Sequence, residues 1–263
     1  MLGAIIGDLA GSIYEFGQIK RITPIKVKNI IEDKSFISDD TILTIAIADA
    51  IIHNASYEEK LKEFASKYGN MVPKNIPYFK TMFSPGFTKW AKGNTEGKSC
   101  GNGAMMRISP VGFLFDNEED VITQSYLATI PSHNTTEAIE CAKLVSLIIF
   151  YARHGLSKRD IIEKLNLKIK EPQIKTFNYT CADTIDVCLY SLFNSDTFED
   201  SIKLAISFGG DTDTNACIVG SMAEAMYGIN EELQRKALSK LPCEFREILS
   251  KSYERVDSLA QIF

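Results

Sequence analysis

Ser207-Phe208-Gly209-Gly210-Asp211-Thr212-Asp213-Thr214-Asn215-Ala216 is the stretch around which the rest of the chain reads. Two glycines lead into two carboxylates two residues apart, a hydroxyl follows, and an apolar run continues from Ala216 to Met226. Glycine adopts backbone angles closed to other residues, so the chain can turn sharply here and approach a ligand closely. Asp213 or Thr214 is suited to cap the helix that the apolar run predicts. Carboxylates and hydroxyls this close together are hard oxygen donors, the set that Mg²⁺, Mn²⁺ or Ca²⁺ prefers. A plain helix start with a spare aspartate competes with that reading, and the glycine pair favours the metal.

The composition around this stretch is that of a soluble globular protein. Of 263 residues, 45% are hydrophobic and 24% charged, enough for a sizeable core. The net charge of -5 comes with Lys and Arg interspersed among Asp and Glu, and no basic stripe suggests a nucleic-acid partner. Six cysteines form no Cys-x-x-Cys pair and mostly fall in apolar or helical stretches, which fits a reduced, cytoplasmic setting. The apolar N-terminus lacks a basic leader and is interrupted by Asp8 and Glu15, so it reads as neither a signal peptide nor a membrane span.

Leu2 to Phe16 predicts a buried helix with a small-residue face of Gly3, Ala4, Gly7, Ala10 and Gly11. Each helical glycine costs up to about 1 kcal/mol against alanine, so close packing or a ligand must justify them. Lys20 to Ser35 reads as a loop. Ser38-Asp39-Asp40-Thr41 then precedes a core helix over Ile42 to Ile52, with Ser38 as N-cap and two carboxylates in the first turn. Capping accounts for one such acid more easily than for two. Tyr57 to Tyr68 predicts an amphipathic helix. Gly69 to Gly103 reads as a long irregular segment, whose Phe83, Phe87 and Trp90 either stack on a planar ligand or, the favoured choice, pin the segment to the body.

Gly101-Asn102-Gly103 brackets a turn, and a helix is expected from Ala104 until Pro110 limits it. Further helices are expected over Val121–Thr129, Thr135–Arg153, Asp160–Leu165, Cys181–Phe193, Phe198–Ser207, Asn230–Leu241 and Cys243–Ile262, with Asn166–Tyr179 a loop. No strand pattern is convincing, and no linker or repeat is visible. The expectation is one all-α domain over residues 1–263.

Three oxygen-rich stations emerge: Glu15, Ser38-Asp39-Asp40, and Asp211-Asp213-Thr214. The last two each open an apolar helix. If those helix starts meet, four carboxylates repel unless cations neutralise them, and two divalent ions roughly 3.5–4 Å apart would do so. Among weaker candidates, Arg107 is expected to pair with an aspartate rather than a phosphate. Cys100 has no evident base partner, and His53 and His154 read as structural or solvated. His133 is either a helix-entry cap or a ligand contact.

Gly7-Asp8-x-x-Gly11-x-x-x-Glu15, Ser38-Asp39-Asp40-Thr41, Gly101-Asn102-Gly103-Ala104-Met105-Met106-Arg107, Ser132-His133 and Gly209-Gly210-Asp211-Thr212-Asp213-Thr214 together resemble the ADP-ribosylglycohydrolases. Any one motif is weak; five in order, spanning residues 1 to about 228, are specific. The resemblance implies a compact single-domain orthogonal helical bundle with a dinuclear Mg²⁺ or Mn²⁺ centre. It implies Ser38, Asp39, Asp40, Asp211, Asp213 and Thr214 as metal ligands and Glu15 as a mobile-loop glutamate near the metals or the scissile ribose. Ser99, Gly101, Asn102 and Gly103 would hold the diphosphate and distal ribose, and His133 would contact the adenosine side. Where the family more often has Thr-Asp-Asp, this chain has Ser38-Asp39-Asp40, which keeps the hydroxyl oxygen.

The implied activity is metal-dependent hydrolysis of the N- or O-glycosidic bond between ADP-ribose and an acceptor, arginine favoured over serine, reversing mono-ADP-ribosylation. Glu15 or Asp40 is the expected general base, and the residues do not choose between them. The expected partner is an ADP-ribosylated protein or small ADP-ribosyl compound met by a monomer. A non-catalytic ADP-ribose-binding or immunity protein is the alternative from another class, against which the intact carboxylates weigh. A dinuclear phosphoester hydrolase is a third.

Overall fold

The computed structural model describes residues 1–15, 26–73, 81–173 and 176–260. Phe16, the first part of the Lys20–Ser35 loop, Pro77 and the Ile262 end of the last expected helix lie outside these residues. The described chain is all-α: α1 Leu2–Gly11, α2 Asp39–Ile52, α3 Tyr57–Tyr68, α4 Pro85–Ala91, α5 Gly103–Met106, α6 Ser109–Leu114, α7 Glu118–Thr129, α8 Thr136–Arg153, α9 Lys158–Lys164, α10 Cys181–Phe193, α11 Phe198–Ser207, α12 Thr212–Tyr227, α13 Glu231–Ser239 and α14 Cys243–Ala260. Among the described residues only two isolated backbone bridges stand in for β-structure, Lys98 with His133 and Gly101 with Thr180. No described helix is long and apolar enough to cross a membrane.

Local chemistry sets many of the helix starts. Ser56, Asn117, Thr135, Thr180 and Thr197 each stand before a helix and accept a hydrogen bond from a first-turn N–H, satisfying a donor the helix cannot. The centre of the molecule is the pair α1–α12. Every residue of α1 is buried. A Cβ on Gly7 would lie 2.0 Å from the Ala216 carbonyl oxygen, and one on Gly11 2.2 Å from that of Thr212. The small-residue face therefore exists to let two backbones touch. It also delivers the C-terminal end of α1 to the N-terminal end of α12, where Thr212 Oγ1 donates to the Gly11 carbonyl at 2.9 Å.

Four local expectations are corrected. The first helix ends at Gly11 because the Ser12 hydroxyl turns back to the Leu9 carbonyl, at 3.0 Å, and accepts the Phe36 N–H, at 3.2 Å. The long irregular segment contains α4, started by Pro85 and capped by Ser84. Pro110 does not limit a helix; it sits in the first turn of α6, where its missing N–H costs nothing, and the Ala104 helix ends earlier, at Met106. The cap of α12 is Asp211, ahead of the expected Asp213 or Thr214. The aromatics of the α4 segment behave as pins: Phe83 and Trp90 are buried, and Phe87 bridges them with ring centroids 5.3 and 5.2 Å away.

Candidate active site

Three element ends converge on one acidic site. Asp8 comes from α1, Ser38-Asp39-Asp40-Thr41 from the start of α2, and Asp211-Thr212-Asp213-Thr214 from the start of α12. Asp8 is fully buried, and its Oδ2 accepts the N–H groups of Ser38 at 2.9 Å and Thr41 at 3.1 Å, together with the Thr41 hydroxyl. One carboxylate thus ties α1 to the first turn of α2. Ser38 is the N-cap as expected: its Oγ accepts the Asp40 N–H at 3.2 Å and donates to Asp40 Oδ2 at 3.0 Å. Thr214 Oγ1 crosses from α12 and donates to the same Asp40 oxygen at 3.3 Å.

The turn into α12 is held by amides. Gly209 and Gly210 have φ of 77° and 73°, the left-handed region that glycine enters without strain. Asn178 Oδ1 accepts the Asp211 N–H at 2.9 Å while its Nδ2 donates to Asn215 Oδ1 at 2.7 Å. Asn215 Nδ2 donates in turn to the Gly209 carbonyl at 3.2 Å. Asn102 Nδ2 donates to Asp211 Oδ2 at 2.8 Å, fixing that carboxylate from the opposite side.

Two carboxylate groups result. Oxygens of Asp8, Asp40 and Asp213 lie within 4.8 Å of one another, as do oxygens of Glu15, Asp211 and Asp213. Asp213 belongs to both. For Asp8, Glu15, Asp39, Asp40 and Asp211, burial first and the charge of Asp213 second push the carboxyl above its ordinary range, Asp8 to about 7 and Asp39 to about 8. No described cation is ion-paired with these six acids. Asp8 Oδ1 and Asp40 Oδ1 are buried without a hydrogen-bond partner, a costly condition for carboxylate oxygens. All-oxygen donors with orphaned buried carboxylate atoms suit hard divalent cations, so the residues present fit such ions.

The family model described as ADP-ribosylglycohydrolase matches residues 1–262. The chain belongs to the ADP-ribosylglycohydrolase family. ADP-ribosylarginine hydrolase Tri1 of Pseudomonas putida (strain GB-1) is 25% identical over 298 residues, covering 99% of this chain and 76% of the relative. ADP-ribosylhydrolase ARH3 of Homo sapiens is 21% identical, covering 97% and 92%. A solved chain from an ADP-ribosylglycohydrolase-related protein complex shares the fold, with a TM-score of 0.69 at 17% identity over 97% of this chain and 96% of that one.

In this ADP-ribosylglycohydrolase all of these acids but Asp8 line a cleft of about 570 Å³. Glu15, Asp39, Asp40, Asp211, Asp213 and Thr214 line it, and so do Ser99, Gly101, Asn102, Gly103 and His133. Every residue expected from the sequence is therefore at one place; Ser38 stands behind Asp40, and Asp39 lines the cleft outside both carboxylate groups. Backbone bonds strap the Ser99–Gly103 segment in position, from Ser99 N–H to the Ser132 carbonyl at 3.2 Å and from Asn102 N–H to the Tyr179 carbonyl at 2.9 Å. Phe83, Phe87, Trp90, Phe177 and Tyr179 supply an aromatic wall, so the pinning aromatics also face the cleft.

The expectation for Arg107 is corrected. Arg107 is fully buried and makes no ion pair with a described carboxylate; its Nη2 donates to Ser132 Oγ at 2.6 Å instead. It caps the end of α5 and meets the α7–α8 junction, which offers hydroxyl and carbonyl oxygens rather than acids. Two residues were given no role by sequence reasoning. Asp8 was visible as a charge in an otherwise apolar helix and within the Gly7-Asp8-x-x-Gly11 motif. Asn178 gave no signal, sitting in a loop without pattern.

Proposed function

We propose that this protein hydrolyses the glycosidic bond between ADP-ribose and an acceptor side chain, arginine in preference to serine, and so reverses mono-ADP-ribosylation. The observation that carries the proposal is the sharing of Asp213 between two carboxylate groups at a cleft sized for a nucleotide-like ligand. The preference for arginine draws on the similarity to ADP-ribosylarginine hydrolase Tri1 along nearly the whole chain. An ADP-ribosylated protein or a small ADP-ribosyl compound is the intended substrate.

Two divalent cations, Mg²⁺ or Mn²⁺, would be held by Asp40, Asp211, Asp213 and Asp39, with the hydroxyls of Ser38 and Thr214 beside them. Bound there, such cations supply charge neutralisation and a fixed attachment for vicinal ribose hydroxyls. Asp8 braces Ser38 and Thr41 from beneath. Ser99, Gly101, Asn102 and Gly103 line the part of the cleft assigned to the diphosphate and distal ribose, and His133 the adenosine side.

Cleavage at the ribose C1″ develops positive charge on the sugar ring, which the carboxylate-lined floor favours electrostatically. The general base is assigned to Glu15 over Asp40. Asp40 Oδ2 already accepts two hydroxyls and the residue is almost wholly buried, whereas Glu15 is half-buried and lines the cleft. Its carboxyl is raised by burial and by four neighbouring aspartates; with their charge offset by the cations they would hold, Glu15 is left ionised, able to take a proton from the attacking water. Fixing substrate and base in one cleft supplies the positioning share of the acceleration.

The test is a panel of arginine- and serine-linked ADP-ribosyl substrates, incubated with Mg²⁺ or Mn²⁺ and analysed by mass spectrometry. Intact ADP-ribose released faster from arginine than from serine supports the proposal. Cleavage within the diphosphate, or tight ADP-ribose binding without turnover of any linkage, rejects it.

A further inference from the structure

His133 lines the cleft with a ring whose two nitrogens meet different surroundings. Nδ1 lies 2.7 Å from Ser132 Oγ, and that oxygen lies 2.6 Å from Arg107 Nη2. A guanidinium only donates. Ser132 Oγ therefore accepts from Arg107, and its own proton remains for His133 Nδ1. A proton on Nδ1 would leave the Ser132 hydroxyl without a recorded acceptor and set a second donor against Arg107 Nη2 at 3.5 Å. Donor counting thus makes Nδ1 the acceptor, and the neutral ring carries its hydrogen on Nε2.

Nε2 faces the loop on the other side. A Cβ on Gly103 would lie 3.3 Å from it, tight enough to press on the ring, and one on Gly101 3.7 Å, an ordinary contact. No described residue offers Nε2 a hydrogen-bond acceptor. The backbone keeps the ring in place: His133 N–H donates to the Thr129 carbonyl at 3.0 Å and Asn134 N–H to that of Gly97 at 2.6 Å.

We propose that Arg107 and Ser132 are positioning residues that lock His133 in its neutral Nε2–H form, so that the cleft presents a permanent N–H donor to an acceptor atom of the ligand. The identity of that ligand as ADP-ribose rests on the function proposed above; the tautomer does not. The absence of a carboxylate partner for Arg107 acquires a reason. Burial of the ring, and after it the Arg107 charge beside it, oppose an imidazolium, so the His133 pKa lies well below the usual histidine range.

The experiment is two-bond ¹H–¹⁵N correlation of the imidazoles in the full-length ligand-free protein near neutral pH. A His133→Gln variant assigns the His133 signals against those of His53 and His154. The expected result is a single Nε2–H tautomer with an unprotonated Nδ1. The Ser132→Ala variant is expected to show mixed tautomers and about fivefold weaker ADP-ribose binding by calorimetry, the loss of roughly one net hydrogen bond. Ser132→Thr, which keeps the hydroxyl, is expected to restore both. An Nδ1–H tautomer or an imidazolium in the unaltered protein overturns the proposal, and so does an unchanged tautomer in Ser132→Ala. If Ser132→Ala does not fold, the spectra of the unaltered protein and of Ser132→Thr still decide. A wild-type protein that shows the Nε2–H tautomer but hydrolyses no ADP-ribosyl bond refutes the proposed function and leaves the tautomer assignment standing.

Discussion

Removal of divalent cations should make this protein less stable as pH rises, the reverse of ordinary acid sensitivity. The Asp8 carboxyl, ordinarily near 3.8, is pushed up to about 7 in the folded chain. Between those values the folded state holds a proton that the unfolded state has released. Stability falls with pH wherever the folded state binds more protons. At about 1.4 kcal/mol per pH unit, crossing the whole window withdraws roughly 4 kcal/mol from the chelated protein, of which about 3 kcal/mol falls above about pH 5. For a chain of this size that corresponds to a fall in Tm on the order of 10 °C. The assay is thermal unfolding by circular dichroism with excess chelator, at about pH 5 and about pH 8, repeated with Mn²⁺. Mn²⁺ should raise Tm far more at the higher pH, because the carboxylates it neutralises are then charged. Asp213→Asn should flatten both responses, since Asp213 is the leading neighbouring charge on Asp8, Glu15, Asp39, Asp40 and Asp211. A chelated protein more stable at pH 8 than at pH 5, with the same slope in Asp213→Asn, would refute this reasoning.

Three further outcomes follow from the geometry. Gly7→Ala places a methyl group 2.0 Å from a backbone oxygen of α12, and should cost about 3 kcal/mol or more, read as a lower urea midpoint; an unchanged midpoint contradicts the account of α1. Asn178→Ala removes the acceptor of the Asp211 N–H and should weaken Mn²⁺ binding about tenfold or more in calorimetry while helical content is kept; unchanged affinity would show that the amide bracket is dispensable. Ser38→Thr should retain cation-dependent turnover, whereas Ser38→Ala, which removes the hydroxyl on Asp40, should lower it by at least about tenfold; equal rates would remove Ser38 from the site.

Much of the architecture was legible because it rests on local chemistry. Apolar runs behind Ser38 and after Thr214 announced α2 and α12, and the Ser38 side chain marked a helix start that the structure keeps. The small-residue face of α1 announced close packing, and α12 provides it. What was illegible depends on contacts made across the chain. Asp211, rather than Asp213 or Thr214, holds the N-cap position of α12 without a side-chain cap bond, at the end of a turn whose Asp211 N–H is held by Asn178, distant in sequence. Arg107 forgoes an aspartate because the α7–α8 junction presents Ser132. Asp8 serves two N–H groups of α2 that no pattern near residue 8 foretells. The aspartates that converge on the cleft were readable as short motifs, since hard oxygen donors at helix starts carry their chemistry in their own sequence. Their amide and hydroxyl supports were not.

The most direct measurement is release of ADP-ribose from an arginine-linked substrate by the chelated protein, by the same protein after Mg²⁺ or Mn²⁺ is restored, and by folded Asp213→Ala. The account predicts turnover only in the cation-restored unaltered protein. Equal turnover under chelation, or full turnover by Asp213→Ala, would contradict it.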